Sequence, residues 1–397
     1  MITVEEAKAI LLNTVFPLSE KIKIEVSVAL GYALAEDIYA PVNLPPFNQS
    51  NVDGYAVRFP FSQENTWNVI DEIRAGDNST VQLKEGEAAR IFTGAFVPDG
   101  ADAIIMQEKI TRTENKIYYT EATILKKGEQ IRTQGAQIKK GDLALKIGTT
   151  LNPSAISFLS ALGIAEIIVF NKPNIKLIIT GNELQPAGTV LETGKVYESN
   201  SATLQSAITA MGLNTSQLIF VKDDKKSLKA AVSEALKNTD LLLLSGGISV
   251  GDYDFVKEVL KENNTETLFY KVAQKPGKPL FFGKNNNTFI FGLPGNPASA
   301  LTCFYEYVYS ALRKMQGREN IFLNSLQLPV AKNISKKKGL AHFLKAQIKN
   351  NKVESLEGQE SFIMKSFTEA NAFIYLPIEK ENVQAGEIVE VHILPEL

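Results

Sequence analysis

The chain has very little of the chemistry that marks many enzyme classes. Its 397 residues include one cysteine and two histidines. A single cysteine excludes an internal disulfide, and with only two histidines an ordinary Cys/His zinc site is excluded as well. Neither sign of charge is in excess. The 42 Lys and Arg against 44 Asp and Glu leave a net charge of -2, so there is no global attraction to nucleic acid or an anionic membrane, and any affinity for phosphate must be local. No apolar run approaches the ~18 residues that would span a membrane. Glu5, Glu6 and Lys8 fall where a signal peptide would be apolar, so a cytoplasmic location is expected. No G-x-G-x-x-G occurs, which disfavours nicotinamide binding. Gly188…Gly194-Lys195 is not a P-loop, because its glycines are too far apart by one residue and Val196 follows the lysine. No Ser/His/Asp set is visible, and neither His342 nor His392 sits in a motif.

What is there is an ordinary globular composition, 44% hydrophobic and 22% charged, with length for two to four domains. The chain is organised around Leu241-Leu242-Leu243-Leu244-Ser245-Gly246-Gly247-Ile248-Ser249-Val250-Gly251-Asp252-Tyr253-Asp254. Four leucines with no polar face read as a strand buried on both sides, as in a parallel sheet. Gly246 and Gly247 permit a sharp turn, and helical spacing follows from Phe255 to Leu260. A strand, a glycine loop and a helix N-terminus favour an anion such as phosphate. Asp252 and Asp254 then stand where the anion is expected. At ~4 Å and an effective dielectric of ~20, two like charges repel by about 4 kcal/mol, whereas a helix N-terminus returns only ~0.3–1 kcal/mol. A divalent cation such as Mg²⁺ bridging carboxylate and phosphate resolves the conflict; the plainer reading, that one of the two aspartates caps the helix, remains open.

Strands and helices alternate through the surrounding region. Leu177–Ile179 ends in Thr180-Gly181-Asn182-Glu183, a helix spans Asn200–Met211, Gln217–Val221 ends at Asp223-Asp224, and Lys225–Lys237 is amphipathic. This pattern predicts a doubly wound parallel sheet, with ligands beyond the carboxyl ends of its strands. Glu183, Asp223, Asp252 and Asp254 all come from such ends. Lys271-Val272-Ala273-Gln274-Lys275-Pro276-Gly277-Lys278-Pro279 fits a phosphate loop or, more plainly, a solvated basic turn. Phe289–Leu293 leads into Pro294-Gly295-Asn296-Pro297 and a helix, which predicts a second anion cradle. Cys303, in the apolar run 300–311, reads as core.

Elsewhere, Thr3 and Glu6 have capping-box spacing before a helical stripe. From Ser50-Asn51-Val52-Asp53-Gly54-Tyr55-Ala56 to about residue 140 short strands dominate; Asp53-Gly54 reads most simply as a hairpin turn, and Thr93-Gly94 ends a strand. Asn152-Pro153 begins a helix stopped by Gly163. After about residue 321 strands return, predicting a small β-barrel, with Lys336–Lys338 as a solvated loop.

Together these motifs resemble the MoeA family of molybdopterin molybdenumtransferases, which is similar to the gephyrin E domain. The resemblance runs the whole chain. It is carried by Ser50–Ala56, Arg90-Ile91-Phe92-Thr93-Gly94 with Gly100-Ala101-Asp102-Ala103, Thr180–Leu184, Ser245–Gly251, Lys275–Pro279 and Gly292–Pro297. It implies an α/β multidomain chain: a linker and dimerisation domain (1–41 and 142–173), an inserted all-β module (42–141), a doubly wound MogA-like α/β domain with the active site (174–320) and a C-terminal β-barrel (321–397). It further implies an elongated homodimer whose site lies between subunits. The implied substrates are molybdate and adenylylated molybdopterin, with a divalent metal, AMP release and molybdenum left on the dithiolene. Transient contact with a molybdopterin adenylyltransferase and with molybdoenzymes is implied too.

Carried over by motif, Asp53, Thr93, Glu183, Asp223, Asp254, Lys271, Lys275, Pro294 and Pro297 match functional positions. Glu183, Asp223 and Asp254 would hold Mg²⁺, and Lys271, Lys275 and Lys278 would balance phosphate or molybdate oxygens. Ser245, Gly246, Gly247 and Ser249 would cradle the pterin phosphate, beside Pro294, Gly295, Asn296 and Pro297; Asp53 and Thr93 would reach in from the partner. Three departures stand out. Arg132-Thr133-Gln134-Gly135-Ala136-Gln137 lacks two usual carboxylates. Gly339-Leu340-Ala341-His342-Phe343-Leu344-Lys345 has lysine for arginine, keeping charge but not the bidentate fork. Gln359-Glu360-Ser361 puts a carboxylate before the expected anion-binding Ser361. These departures keep one rival in view, a paralogue that binds molybdopterin or a partner without insertion; a second rival is a molybdopterin adenylyltransferase, whose single domain resembles residues 174–320, though the extra β-domains argue against it.

Overall fold

The computed structural model describes residues 1–59, 65–78, 80–119, 125–247 and 255–395, which fall into two compact units. The first comprises Met1–Ile22, Gly31–Ala35 and Ile168–Leu397. It opens with helix α1 (Val4–Thr14), started by the expected capping box: Glu6 N–H donates to Thr3 Oγ1 at 3.1 Å and Thr3 N–H to Glu6 Oε2 at 2.8 Å. Then follow β1 (Ile175–Thr180), α2 (Asn200–Ala210), β2 (Thr215–Val221), α3 (Lys225–Ala235), β3 (Leu241–Ser245), α4 (Phe255–Glu262), β4 (Glu266–Tyr270), β5 (Phe281–Asn285), β6 (Thr288–Leu293) and α5 (Pro297–Cys303). The sheet order is β2-β1-β3-β6-β5-β4. The first four strands are parallel, β5 runs antiparallel to β6, and β4 runs antiparallel to β5.

β3 lies between β1 and β6, and all four of its leucines are buried. Leu241 and Leu243 join a core with α1, α2 and α5, while Leu242 and Leu244 join one with α3 and α4. Burial on both faces is thus the physical reason for the leucine run. Helix α3 turns Leu228, Val232 and Ala235 inward from an N-cap at Asp224, whose side chain accepts from Ser227 N–H. Strands β4 and β5, which flank the Lys271–Pro279 turn, are not anticipated from the sequence and extend the sheet beyond β6. Cys303 is fully buried, as expected.

After α5 the helix widens into a π turn (Phe304–Val308) and resumes as α6 (Tyr309–Met315). The C-terminal strands β7 (Ser325–Pro329), β8 (Ala341–Lys349), β9 (Lys352–Ser355), β10 (Ala372–Leu376) and β11 (Ile388–Ile393) form a curled sheet in the order β8-β10-β11-β7, with β9 beside β8. A bridge between Val330 and Val353 brings the two margins together, giving the barrel-like curvature the sequence predicts. Gln274–Lys275 adds a parallel strand to β8, pairing with Ala341 and His342. Lys336 corrects the solvated-loop reading: it is buried, and its ammonium donates to the carbonyls of Leu340 (2.9 Å) and Ile378 (3.1 Å).

The second unit, Lys23–Leu30 and Glu36–Ile167, is built on a six-stranded sheet in the order 103–106, 54–57, 87–91, 66–73, 116–119, 110–113. Trp67 is its largest buried side chain, with its indole N–H donating to Arg58 O at 2.7 Å. Asp53-Gly54 is not a hairpin turn. Gly54 opens a strand paired on both sides, and a Cβ there would stand 2.0 Å from Ile105 O. Close packing, not turning, demands this glycine. The helix Pro153–Ala161 has Asn152 as its N-cap, as expected.

A buried charge network joins α1, the π turn and β11 within the first unit. Glu306 pairs with Lys8 at 2.7 Å and with His392 Nδ1 at 2.7 Å, while His392 Nε2 faces Glu390 at 3.1 Å. Burial by itself would raise the Glu306 carboxyl, but the charges of Lys8 and His392 bring it down to about 2. Burial likewise opposes charge on His392, and the Glu306 and Glu390 carboxylates outweigh it and raise the imidazole. A histidine raised from 6.5 contributes stability fully below that value and loses it as pH rises through its folded value. The Glu306 contribution is present above 4.5 and is lost as pH falls through about 2. Melting temperature should therefore fall as pH rises above the ordinary histidine range, and His392→Gln should flatten that alkaline decline in a calorimetric pH series; an unchanged pH slope would contradict the network's role.

Candidate active site

The carboxyl ends of β1, β3 and β6 surround a cleft of about 740 Å³. Thr180 and Glu183 line it from the end of β1, Ser245 and Gly246 from β3, Pro294 through Pro297 from β6, and Lys278 and Pro279 from the lysine turn. The cleft exists because the strand ends meet at backbone contact. Gly246 has φ +94°, and a Cβ there would lie 1.9 Å from Thr180 O; a Cβ on Gly247, φ +64°, would meet Val256 at 3.0 Å and Asp223 Oδ1 at 3.4 Å. The Ser-Gly-Gly turn thus lies against both the end of β1 and the Asp223 carboxylate.

Asp223 is half-buried and accepts from Thr180 Oγ1 at 3.4 Å, while its N–H donates to Asn182 Oδ1 at 3.1 Å. Burial raises its carboxyl, the Thr180 hydrogen bond lowers it, and the like charges of Glu183 and Asp224 raise it further. Glu183 and Asp223 are therefore close enough for their charges to repel, and each offers hard carboxylate oxygens. No group of three acidic, histidine or cysteine side chains poised for a metal occurs among the described residues. Ser249, Asp252 and Asp254 lie outside the described residues.

The three lysines diverge. Lys278 faces the cleft. Lys275 lines a cavity of about 210 Å³ with His342, Phe343 and Gln359, where burial and then the nearby Lys336 and Lys275 charges hold the imidazole down at about 4. The Lys271 ammonium lies 4.9 Å from the centre of the Tyr270 ring, and its backbone is left-handed, φ +67°. The start of α5 corrects the second-cradle reading. Pro297 has no N–H, and the N–H groups of Ala298 and Ser299 donate to Ser361 O at 3.2 and 3.3 Å. Asn296 Nδ2 donates to Ser361 Oγ at 3.0 Å. Ser361 thus caps the helix and occupies the donors an anion would need. Lys345 is buried, with its ammonium donating to the carbonyls of Gly358 (2.6 Å) and Ile363 (2.8 Å). In the second unit, Asp53 Oδ1 accepts from Thr93 N–H (2.8 Å) and Oγ1 (2.7 Å), which hold its carboxyl down.

Sequence reasoning missed Asn200. Its side-chain amide donates to Ser245 Oγ and to Gly295 O, each at 2.8 Å, tying the Ser-Gly-Gly turn to the Pro-Gly-Asn-Pro loop, and its Oδ1 is buried with no hydrogen-bond partner among the described residues. The only sequence signal was its place at a helix start facing a strand-end cleft.

Three family models cover the chain: MoeA N-terminal region (domain I and II) at residues 2–163, probable molybdopterin binding domain at 176–314, and MoeA C-terminal region (domain IV) at 327–394. A molybdopterin molybdenumtransferase of Haemophilus influenzae is 35% identical over 399 residues, with 98% of each chain covered. This chain belongs to the MoeA family. A Staphylococcus aureus relative of the same name is 32% identical, with 93% of this chain and 90% of the relative covered. The crystal structure of the molybdopterin biosynthesis MoeA protein from Pyrococcus horikoshii OT3 matches the fold with a TM-score of 0.86 at 29% identity, covering 99% of this chain and all of that one. As a MoeA-family member the chain is an enzyme, and its strand-end cleft falls inside the segment matched by the molybdopterin-binding model.

The close approach at Gly246 yields a stability prediction. Gly212 has φ +71° with nothing near its Cβ position, so Gly212→Ala isolates the backbone cost, expected at about 1–2 kcal/mol. Gly246→Ala adds the clash with Thr180 O and should cost more than Gly212→Ala in urea unfolding; equal losses would contradict the contact.

Proposed function

We propose that this MoeA-family molybdopterin molybdenumtransferase acts in molybdenum cofactor biosynthesis on adenylylated molybdopterin and molybdate, releasing AMP and leaving molybdenum on the dithiolene. The observation that carries this reading is the convergence on one cleft of the Ser245-Gly246-Gly247 turn, Glu183 and Lys278, with Asp223 directly behind the turn. The turn would receive the pterin phosphate, and Lys278 would balance its charge. Glu183 and Asp223, with Asp254, would hold a divalent metal such as Mg²⁺. Bound there, the metal supplies charge neutralisation at the scissile pyrophosphate. A second cleft of about 740 Å³, lined by Phe220, Gln185 and Lys195, shares Ile179, Leu184 and Glu198 with the first. Two adjoining clefts suit a substrate with two arms joined by a pyrophosphate, and the exposed Phe220 offers a surface on which an adenine can stack. Lys271 and Lys275 are proposed as further cations near the oxyanion, and Asp53 and Thr93 as groups acting from the partner of a homodimer.

One specific observation favours the binding paralogue as a second reading. The Lys345 ammonium is spent on backbone carbonyls, and the Ser361 hydroxyl accepts from the Asn296 side chain. AMP release from adenylylated molybdopterin by the purified protein separates the two. The insertase reading expects release that requires both molybdate and Mg²⁺, falling at least about a hundred-fold in Asp223→Asn, in line with the loss of one electrostatic stabiliser. Tight binding without AMP release would establish the binding paralogue.

A further inference from the structure

We infer that Gln274, anchored by Tyr307, is a positioning residue that fixes the lysine turn Lys275–Lys278 for oxyanion binding. The inference rests on the reading of that turn as part of the anion site.

Gln274 is fully buried directly before the two exposed lysines of the turn. Its amide Nε2 donates to Pro276 O at 3.1 Å and, more weakly, to Gly277 O at 3.4 Å, with Cys303 Sγ 3.6 Å away. Its Oε1 accepts from the Tyr307 hydroxyl. One side chain therefore holds the middle of the turn from beneath and is itself held from the helix. The turn lies tightly on this support. Gly277 has φ +87°, and a Cβ there would stand 2.3 Å from Cys303 Sγ and 3.0 Å from Gln274 Nε2. Tyr307 is buried within the π turn, a helix irregularity that often marks a functional position. The backbone is fastened as well: Ala273 N–H donates to Ile2 O at 2.7 Å and Ala341 N–H to Ala273 O at 2.8 Å.

Lysine is a flexible point charge and carries no geometric fork of its own. A lysine presents its charge to an oxyanion at a defined place only if the backbone that carries it is fixed in advance. Lys278 opens on the main cleft and Lys275 on the small cavity beside His342, so the turn they flank sets the spacing of the two cations. The Cys303 thiol also donates to Gly277 O, at 3.6 Å, but among the described residues the Gln274 amide alone bonds both the Pro276 and the Gly277 carbonyls inside that turn.

The test uses the full-length protein, with molybdate as the probe in calorimetric titration and guanidinium unfolding measured in parallel. Gln274→Met keeps the volume and removes the amide. It should weaken molybdate binding about ten-fold, the equivalent of one to two net hydrogen bonds, while still unfolding cooperatively. Tyr307→Phe, which touches neither lysine, should weaken binding in the same direction by a smaller factor, and it carries the test if Gln274→Met does not fold. A purely core-filling role for Gln274 would lower the unfolding midpoint and leave the folded protein's molybdate affinity at the wild-type value, and that result overturns the inference. A wild-type protein that does not bind molybdate would instead overturn the anion-site reading itself, and the inference with it.

Discussion

The end of β3 touches the end of β1 at a distance only glycine allows. That contact, Gly246 against the Thr180 carbonyl, sets the geometry of everything around the cleft. A buried parallel strand has no freedom to shift, because each face is packed against a different helical layer. The turn that leaves it is therefore held in place, and Asp223, Glu183 and Asn200 are arranged about a fixed point. Asn200 then carries the constraint across to the loop after β6. The cleft is a consequence of backbone packing first and of side-chain chemistry second.

The C-terminal sheet is tied to the same unit by polar contacts that cross long sequence distances. Ser361 caps α5, Gln274–Lys275 pairs with β8, and Glu306 on the π turn is neutralised by Lys8 from α1 and His392 from β11. A buried carboxylate is tolerable only when paired in this way. The unused histidine of the sequence is thus part of the scaffold. Lys345 belongs to this scaffold too, because it is buried and spends its donors on backbone carbonyls.

The elements legible in the sequence were those set by local rules. The leucine run, the capping box at Thr3, the N-cap at Asn152 and the amphipathic period of α3 each need only a few neighbouring residues to be recognised. What was not legible depended on distant partners. Asp53-Gly54 has the composition of a turn, but the glycine answers to Ile105 on a neighbouring strand. Lys336 has the composition of a solvated loop, but carbonyls at 340 and 378 bury its ammonium. The loop before α5 had the signature of an anion cradle, and a serine 64 positions after Pro297 takes its donors. The same limit explains why Asn200 and Gln274 were passed over: each acts by joining two loops or a loop and a helix, which composition does not reveal. The strand-end carboxylates Glu183 and Asp223 were found because doubly wound topology itself predicts where strand ends converge.

The central claim is that these strand ends form one site where a divalent metal and a phosphate-bearing substrate meet. Electron paramagnetic resonance of Mn²⁺ added to the purified protein, with and without adenylylated molybdopterin, tests it most directly. Metal binding should strengthen in the presence of the substrate, and Glu183→Gln combined with Asp223→Asn should abolish that gain while the fold is retained. A wild-type protein and a double variant with the same Mn²⁺ affinity in both conditions would contradict the account.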